Sequence, residues 1–456
     1  MANRLTPIAR RRALRLGLIN AAVYSLGYAL TTGALVTYLA QDLGAKGRGL
    51  SLLLAAPSLA GLLRLFTPAI IAFSGSTKRT CLGALGTGYL VLLGLPLVGW
   101  LAPSMPPGIA LALLITVVCI YQVLDFIGYI ALWSWFAELA PLRVRGNYFG
   151  WRQVVQLCVS IPTALAAGFF ADHWSAAYKS VPSMKLLGYA IPNAVGTACM
   201  LASLVPLWLM PAEGNVPSLV GIPWRAMLTP FRQWQFRRLL SFRAGLSIAN
   251  GISQAAEKSF PKNVLLLGVG DMTIMRNVMQ VGQIGVSRWA GPFSDRYGNR
   301  PVLIACQWMV SVAMVFFLIA SPAPAWHAWL LLGAWALWSF YAGHNICLPN
   351  LALKLAPAEE KSPYVGAHEA LASVCHALAT LAGGFLFDWL ADADAPARWG
   401  WVGVNPYVAI FGLALVLRLL AVPLAMAILE PGAWQWRRIL GQNGGSTPAK
   451  PGGTAS

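Results

Sequence analysis

The sequence predicts an all-α polytopic membrane protein, with twelve transmembrane helices in two pseudo-symmetric six-helix bundles and both termini in the cytoplasm. Three observations predict it. The 456 residues are 57% hydrophobic and only 11% charged, against about 25% charged in a typical soluble domain. Apolar runs of the roughly 20 residues that a bilayer-spanning helix needs recur along the whole chain. The second half of the chain also repeats the first.

In chain order, residues 1–16 are a basic cytoplasmic segment. The run at 17–40 that follows "RRRALRLGLINAAVY" is longer than the core of a signal peptide and leads into a multi-span chain, so it reads as an uncleaved first helix. Five more runs, at 50–73, 81–101, 108–136, 152–173 and 188–210, complete a bundle over 17–210. Residues 211–238 form a cytoplasmic linker. It opens on Pro211, Glu213 and Gly214 and closes on the basic "TPFRQWQFRRLL", the pattern of a helix lying on the membrane surface. The second bundle, 239–429, holds runs at 239–265, 271–292, 301–320, 326–353, 364–389 and 402–429. The Gly/Ser/Pro-rich tail in 430–456 is expected to be cytoplasmic and largely disordered.

The net charge of +18 raises the question of a nucleic-acid partner, but the bases follow topology. Under this arrangement Arg10, Arg11, Arg12, Lys78, Arg79 and Arg152 are among many that face the cytoplasm. Only Lys46, Arg48, Lys179, Lys185, Lys262 and Arg398 fall on the other side. This is the positive-inside signature. It argues against nucleic acid and for a cell membrane, with the bacterial inner membrane the expected one. The seven cysteines (81, 119, 158, 199, 306, 347 and 375) sit in or beside apolar runs and never at metal-site spacing. No metal and no cofactor is expected.

The repeat is specific. Setting "ELAPLRVRGNYFGWRQ" (138–153) over "KLAPAEEKSPYVGAHE" (354–369) aligns Leu139-Ala140-Pro141 with Leu355-Ala356-Pro357, Tyr148 with Tyr364 and Gly150 with Gly366, at an offset of 216. The same offset, without a gap, brings Gly168, Phe169 and Asp172 onto Gly384, Phe385 and Asp388. Self-similarity over a loop and its following helix marks a duplicated unit.

A knot of charge, "AGPFSDRYGNRP" (290–301), interrupts the second half. Gly291 and Gly298 allow a tight turn, and Asp295 is expected beside the N–H groups that open the next helix. Arg296 and Arg300 are expected to pair with acids on an adjacent helix end, in a contact that forms in one conformation and breaks in another. The first half carries a partial twin: Arg64 and Pro68 echo Arg288 and Pro292, but its loop "FSGSTKRT" has no acid.

Two parallel six-helix halves, each with a short basic turn after its second helix, resemble the major facilitator superfamily over residues 17–429. The family's loop pattern G-x-x-x-D-R-x-G-x-R is met by Gly291, Asp295, Arg296, Gly298 and Arg300. Its pattern E-x-x-P-x-x-x-R-G is met by Glu138, Pro141, Arg145 and Gly146. The resemblance implies that the first helix of each three-helix group lines a central cavity. The residues show polar stripes on those helices independently: Asn20, Tyr24 and Tyr28; Tyr121 and Asp125; Asn250, Gln254 and Glu257; Trp338, Tyr341, His344 and Asn345. Polar groups inside a membrane are costly and usually face a cavity. The eighth run is polar along one side as well (Arg276, Gln280, Gln283, Ser287), which points to an anionic or hydroxyl-rich solute.

Asp125 and Glu257 are the acids placed at depth, with Arg64, Arg276, Arg288 and Arg418 as candidate buried bases. An unpaired carboxylate in a low-dielectric cavity can carry a proton, whereas one paired to arginine stays ionised. Glu257, with Arg276 and Lys258 competing for it, leads the candidates for proton coupling, followed by Asp125, His344 and His376. Arg64 and Asp125 fall at similar depth, so a static pair between them stays open beside the proton-carrying role. These features imply a secondary active transporter that moves a small polar solute by alternating access, coupled to H+, and works as a monomer in the bilayer. Two alternatives stay open: a drug/proton efflux antiporter of the same fold and a non-transporting membrane receptor. The antiporter would carry a G-x-x-x-G-P-x-x-G-G run that "LCVSIPTALAAG" lacks. An enzyme is not expected, since the outer loops are short and hold no clustered acids or histidines.

Overall fold

Proline and glycine set the boundaries of the first helix. Pro7 stands in the first turn, where a missing N–H costs nothing, and the Thr6 hydroxyl caps it by accepting from the Ala9 N–H at 3.3 Å. The helix runs Pro7–Thr31, breaks at an extended Thr32 and at Gly33 with φ +73°, and resumes as Ala34–Asp42. Only glycine adopts that backbone readily, so one residue divides the segment, here called α1.

The computed structural model describes residues 6–65, 67–140, 142–211, 224–357, 361–392 and 405–433. After α1 come α2 (Gly47–Gly61, a 3₁₀ turn Leu62–Leu65, then Thr67–Ser74), α3 (Thr77–Leu92 and Gly94–Leu101) and α4 (Pro107–Leu139). Then follow α5 (Leu142–Ala177) and α6 (Pro182–Ala202 and Leu204–Leu209). A short connecting helix, Trp224–Arg232, leads to α7 (Trp234–Asn263), α8 (Val269–Tyr297) and α9 (Asn299–Ile319). The last three are α10 (Leu331–Trp338 and Tyr341–Leu355), α11 (Lys361–Ala391) and α12 (Pro406–Met426). No strand occurs among the described residues. Residues 212–223 of the linker and the tail from 434 on lie outside them, as does the loop holding Arg398.

Eight of the described helices are long and apolar enough to cross a membrane: α1, α3, α4, α5, α6, α9, α11 and α12. The other four are α2, α7, α8 and α10. α7 and α8 carry charged and amide side chains along one side, and α10 holds Ser339, His344, Asn345 and Asn350 within its apolar run. Large apolar side chains such as Phe73, Trp100, Ile284 and Leu420 are exposed on the outside. Surface of this kind marks contact with something apolar, and lipid tails supply it.

α1 packs on α5 and α6, and α3 on α4; α7 packs on α11 and α12, and α9 on α10 and α12. The first six segments meet the last six along two seams, α2 against α11 and α5 against α8. The repeated sequence occupies repeated structure. α4 ends at Leu139 and α10 at Leu355, each with an extended alanine after it (Ala140 at ψ 115°, Ala356 at ψ 142°) and a proline next in sequence. Proline there cannot continue a helix. Tyr148 and Tyr364 are both buried, with ring centroids 5.8 Å from Phe136 and 4.8 Å from Phe236.

One basic residue departs from its expected loop position. Arg152 is 4% exposed. It donates to the Gly17 carbonyl at 2.6 Å and to Asn20 Oδ1 at 3.2 Å, with its guanidinium 4.6 Å from the Phe136 ring centroid. It pins α1 to α5 rather than anchoring a loop.

The seams close because small residues sit where helices cross. A Cβ on Gly384 of α11 would meet the Ser51 side chain and the Gly47 carbonyl of α2. Gly384→Val should therefore force the seam apart and lower the unfolding free energy by about 1–3 kcal/mol, the range for overpacking. Thermal unfolding of purified protein in detergent measures it, and an unchanged midpoint would show that the seam has slack.

Candidate functional site

Between the two groups of six lies a cavity of about 370 Å³. Its wall draws on α1, α2, α3, α4, α7, α8 and α10. Of the polar stripes read from the sequence, Tyr28, Tyr121 and Gln254 line it. So do two cations, Lys258 of α7 and Arg276 of α8, together with Trp335. The Lys258 ammonium lies 5.0 Å from the Trp335 ring centroid. The Arg276 guanidinium packs against Gly33, where a Cβ would collide with it. The break in α1 thus opens the space that Arg276 fills.

Other expected cavity residues are elsewhere. Glu257 does not pair with Arg276 or Lys258; Arg418 of α12 takes it, at 3.0 Å, and Ser253 donates to the same oxygen at 2.5 Å. Arg418 also donates to Asn250 Oδ1 at 3.3 Å, which accepts from the Tyr341 hydroxyl at 2.7 Å. His344 is buried against Gln307 at 2.9 Å, and Gln307 in turn donates to the Arg418 carbonyl. Trp338 is buried with its ring centroid 5.8 Å from the same guanidinium. These residues knit the last six segments together. None of them lines the central cavity, and Asn345 is exposed outside it. His376 lies on the α2/α11 seam, 2.8 Å from the Ser58 hydroxyl.

Asn20, Tyr24 and Asp125 line a second, much smaller cavity of about 10 Å³ within the first six segments, with Tyr89, Tyr129 and Arg152. Arg152 spends its bonds on Gly17 and Asn20, and Asp125 Oδ1 is buried with no hydrogen-bond partner among the described residues. The side chain of Arg64, the candidate partner, lies outside the described residues.

The central cavity is closed toward the face where α1 ends at Asp42. Tyr38 donates to the Leu267 carbonyl at 3.0 Å and Gln41 to the Lys258 carbonyl at 3.1 Å, while Lys262 bridges to Asp42 at 3.0 Å. The repeat supplies two further closures. Asp172, at the end of α5, accepts from the Val269 and Gly270 N–H groups, each at 2.7 Å. Its repeat partner Asp388, at the end of α11, accepts from the Arg48 N–H at 2.9 Å and pairs with its side chain at 3.3 Å. Each carboxylate caps the unsatisfied N-terminus of a helix in the other group of six. Every hydrogen bond between described residues of the two groups lies at this face or, for Ser58 and His376, midway.

At the opposite face the charged loop departs from expectation. Asp295 is exposed and makes no bond among the described residues. The acid at the start of α9 is Glu430, from just beyond α12. It accepts from the Arg300 N–H at 2.7 Å and from Asn299 at 2.9 Å, and pairs with Lys354 at 2.9 Å. Arg300 therefore contributes its backbone, and Arg296 stacks on its neighbour Tyr297 at 5.2 Å. Gly298, at φ +96°, makes the turn as expected, whereas Gly291 lies inside α8 beside open space. The side chains of Glu138 and Arg145 lie outside the described residues.

Sequence reading missed Arg152, Lys258 and Glu430 as placed here. Only the repeat could have flagged the two capping aspartates.

The chain is similar to the nucleoside transporter NupG (TM-score 0.65, 12% identity, covering 92% of this chain and 98% of that one). It is similar to a D-xylose–proton symporter (0.63, 14%, 92% and 98%). It is also similar to a bacterial homologue of the human drug peptide transporters PepT1 and PepT2 (0.59, 15%, 92% and 98%). No family model matches the sequence, and no curated protein does. The likeness is one of fold, a multi-pass helical membrane architecture.

Burial opposes ionisation of Glu430, but Lys354, the Arg300 N–H and Asn299 outweigh it and hold its carboxyl below the usual range. A carboxyl with a depressed folded pKa adds stability above its unfolded value, about 4.3, and loses it as the pH falls through the folded value. Glu430→Gln should cost about 1–3 kcal/mol at neutral pH, and the gap from wild type should close below about pH 4. Thermal unfolding across pH reads both; a gap independent of pH would deny Glu430 this role.

Proposed function

We propose that the protein is a secondary active transporter that carries a small polar solute across the membrane by alternating access, with H+ as the coupling ion. The six-helix groups at 17–210 and 239–429 move as two bodies about the cavity between them. The observation that carries this reading is the cavity itself: it is built from both groups and sealed toward one face by bonds between them. Those seals are hydrogen bonds and helix caps, which can open without unfolding either group. The named activities of the similar structures, a nucleoside transporter and a D-xylose–proton symporter, support the same class. One chain supplies the whole wall of the cavity, which fits a monomer, and the bacterial inner membrane fits the charge asymmetry.

Within this reading the proton-carrying role passes from Glu257 to Asp125. Glu257 is committed to Arg418, whereas Asp125 has an oxygen facing no donor. In proteoliposomes under an imposed pH gradient, Asp125→Asn should abolish solute accumulation while leaving binding intact. Glu257→Gln strands the Arg418 guanidinium and should mainly reduce folded yield, since an uncompensated buried charge is strongly destabilising. Wild-type accumulation in Asp125→Asn would refute the coupling assignment.

Alternating access gives a second expectation. Removing both caps with Asp172→Asn and Asp388→Asn should open the Asp42 face. A Thr37→Cys reporter in a cysteine-free background should then react several-fold faster with a membrane-impermeant maleimide added from that side. Equal rates with and without the caps would mean that they do not hold the face shut.

A further inference from the structure

We propose that the solute is an organic anion of about monosaccharide size, held by Arg276 and Lys258. This names the substrate class for the cavity and rests on the transporter reading above. The cavity, at about 370 Å³, is near the lower end of the roughly 300–1,000 Å³ of small-molecule pockets, which suits a compact solute.

The inventory of polar groups on its wall is one-sided. Two cations line it, and no aspartate or glutamate does. Arg276 makes no hydrogen bond or ion pair among the described residues, and Lys258 has only the Trp335 ring beneath its ammonium. The neighbouring acid, Glu257, is paired with Arg418 and makes no ion pair with either of them. One further donor is buried on the wall without a partner: Trp335 Nε1, in a residue 4% exposed. Gln254 does not offset the bias. Its amide lines the wall and bonds to Thr380 at 2.9 Å, and it brings no negative charge.

Buried donors without acceptors, and cations without counter-charges, are costly at membrane depth. An acceptor-rich anion satisfies all of them together. Arg276 presents the planar fork that matches a carboxylate or phosphate with two bonds, and Lys258 adds a point charge. The second piece of α1 begins at the same wall with Gly33 and Ala34, and the opening N–H groups of a helix favour an anion.

The test uses three matched probes on the full-length protein in detergent: glucuronate, glucose 6-phosphate and glucose. Binding is read by the rise in thermal midpoint, since a ligand of the folded state stabilises it by mass action. At least one anion should bind and glucose should not; which anion binds separates carboxylate from phosphate. Arg276→Gln and Lys258→Gln should each weaken that binding about tenfold or more. Arg276→Lys should retain part of it, and unliganded midpoints should confirm that the variants fold. Three outcomes overturn the proposal: glucose binding as tightly as the anions, neither anion binding at millimolar concentration, or anion binding unaltered in the double Gln variant. Failure of the transporter reading looks different. Anion binding that depends on both cations, without uptake into proteoliposomes, would remove transport and leave the site. Uptake of glucose indifferent to both cations would remove the site and leave transport.

Discussion

A bilayer core offers no hydrogen bonds, so every polar group inside it must find a partner in the protein or in a ligand. The interior of this chain follows from that constraint. Arg418 is 1% exposed and holds Glu257, Asn250 and, through its carbonyl, Gln307. Arg152 does the corresponding work in the first six segments with the Gly17 carbonyl and Asn20. Two guanidiniums thus act as internal clasps. Among the buried polar groups left over once their partners are assigned, Trp335 Nε1 lines the central cavity.

Much of the fold was legible in the sequence because its signals are local. Segment positions follow from runs of apolar residues, although the first was read as unbroken over 17–40, whereas the helix starts at Pro7 and breaks at Gly33. The duplicated Gly-Phe-x-x-Asp was legible too, as a repeat of unknown purpose. The site was harder to read. A polar stripe shows which face of a helix is polar but not whether a cavity or another helix lies opposite. Tyr28 and Gln254 meet the cavity, while Tyr341, Trp338 and His344, on an equally convincing stripe, meet their own neighbours. Partners distant in the chain were invisible: Arg418 stands 161 positions after Glu257, and Glu430 stands 131 after Asn299. Arg152 misled because it begins an apolar run, where a base ordinarily marks a loop.

The two groups of six share a frame but not its contents. In the last six, acid and base are matched inside one network; in the first six, the acid at Asp125 and the base at Arg152 border one small cavity yet remain unpaired. Symmetry is retained where the groups touch, at the seams and at the paired aspartates, and is lost in the interiors. Motion needs matched surfaces, and solute and proton need different ones.

The paired caps also bear on how the molecule is made. Asp172 closes the start of α8, which follows it on the ribosome, so that contact can form as soon as α8 emerges. Asp388 closes the start of α2, which precedes it by 340 positions. Chains are synthesised from the N-terminus, and early segments begin to settle first. α2 therefore waits with its opening N–H groups uncapped until nearly all of the chain has been inserted. Completion of the eleventh segment is what finishes the second, so a chain that stalls after α10 carries a defect in a helix made long before the stall.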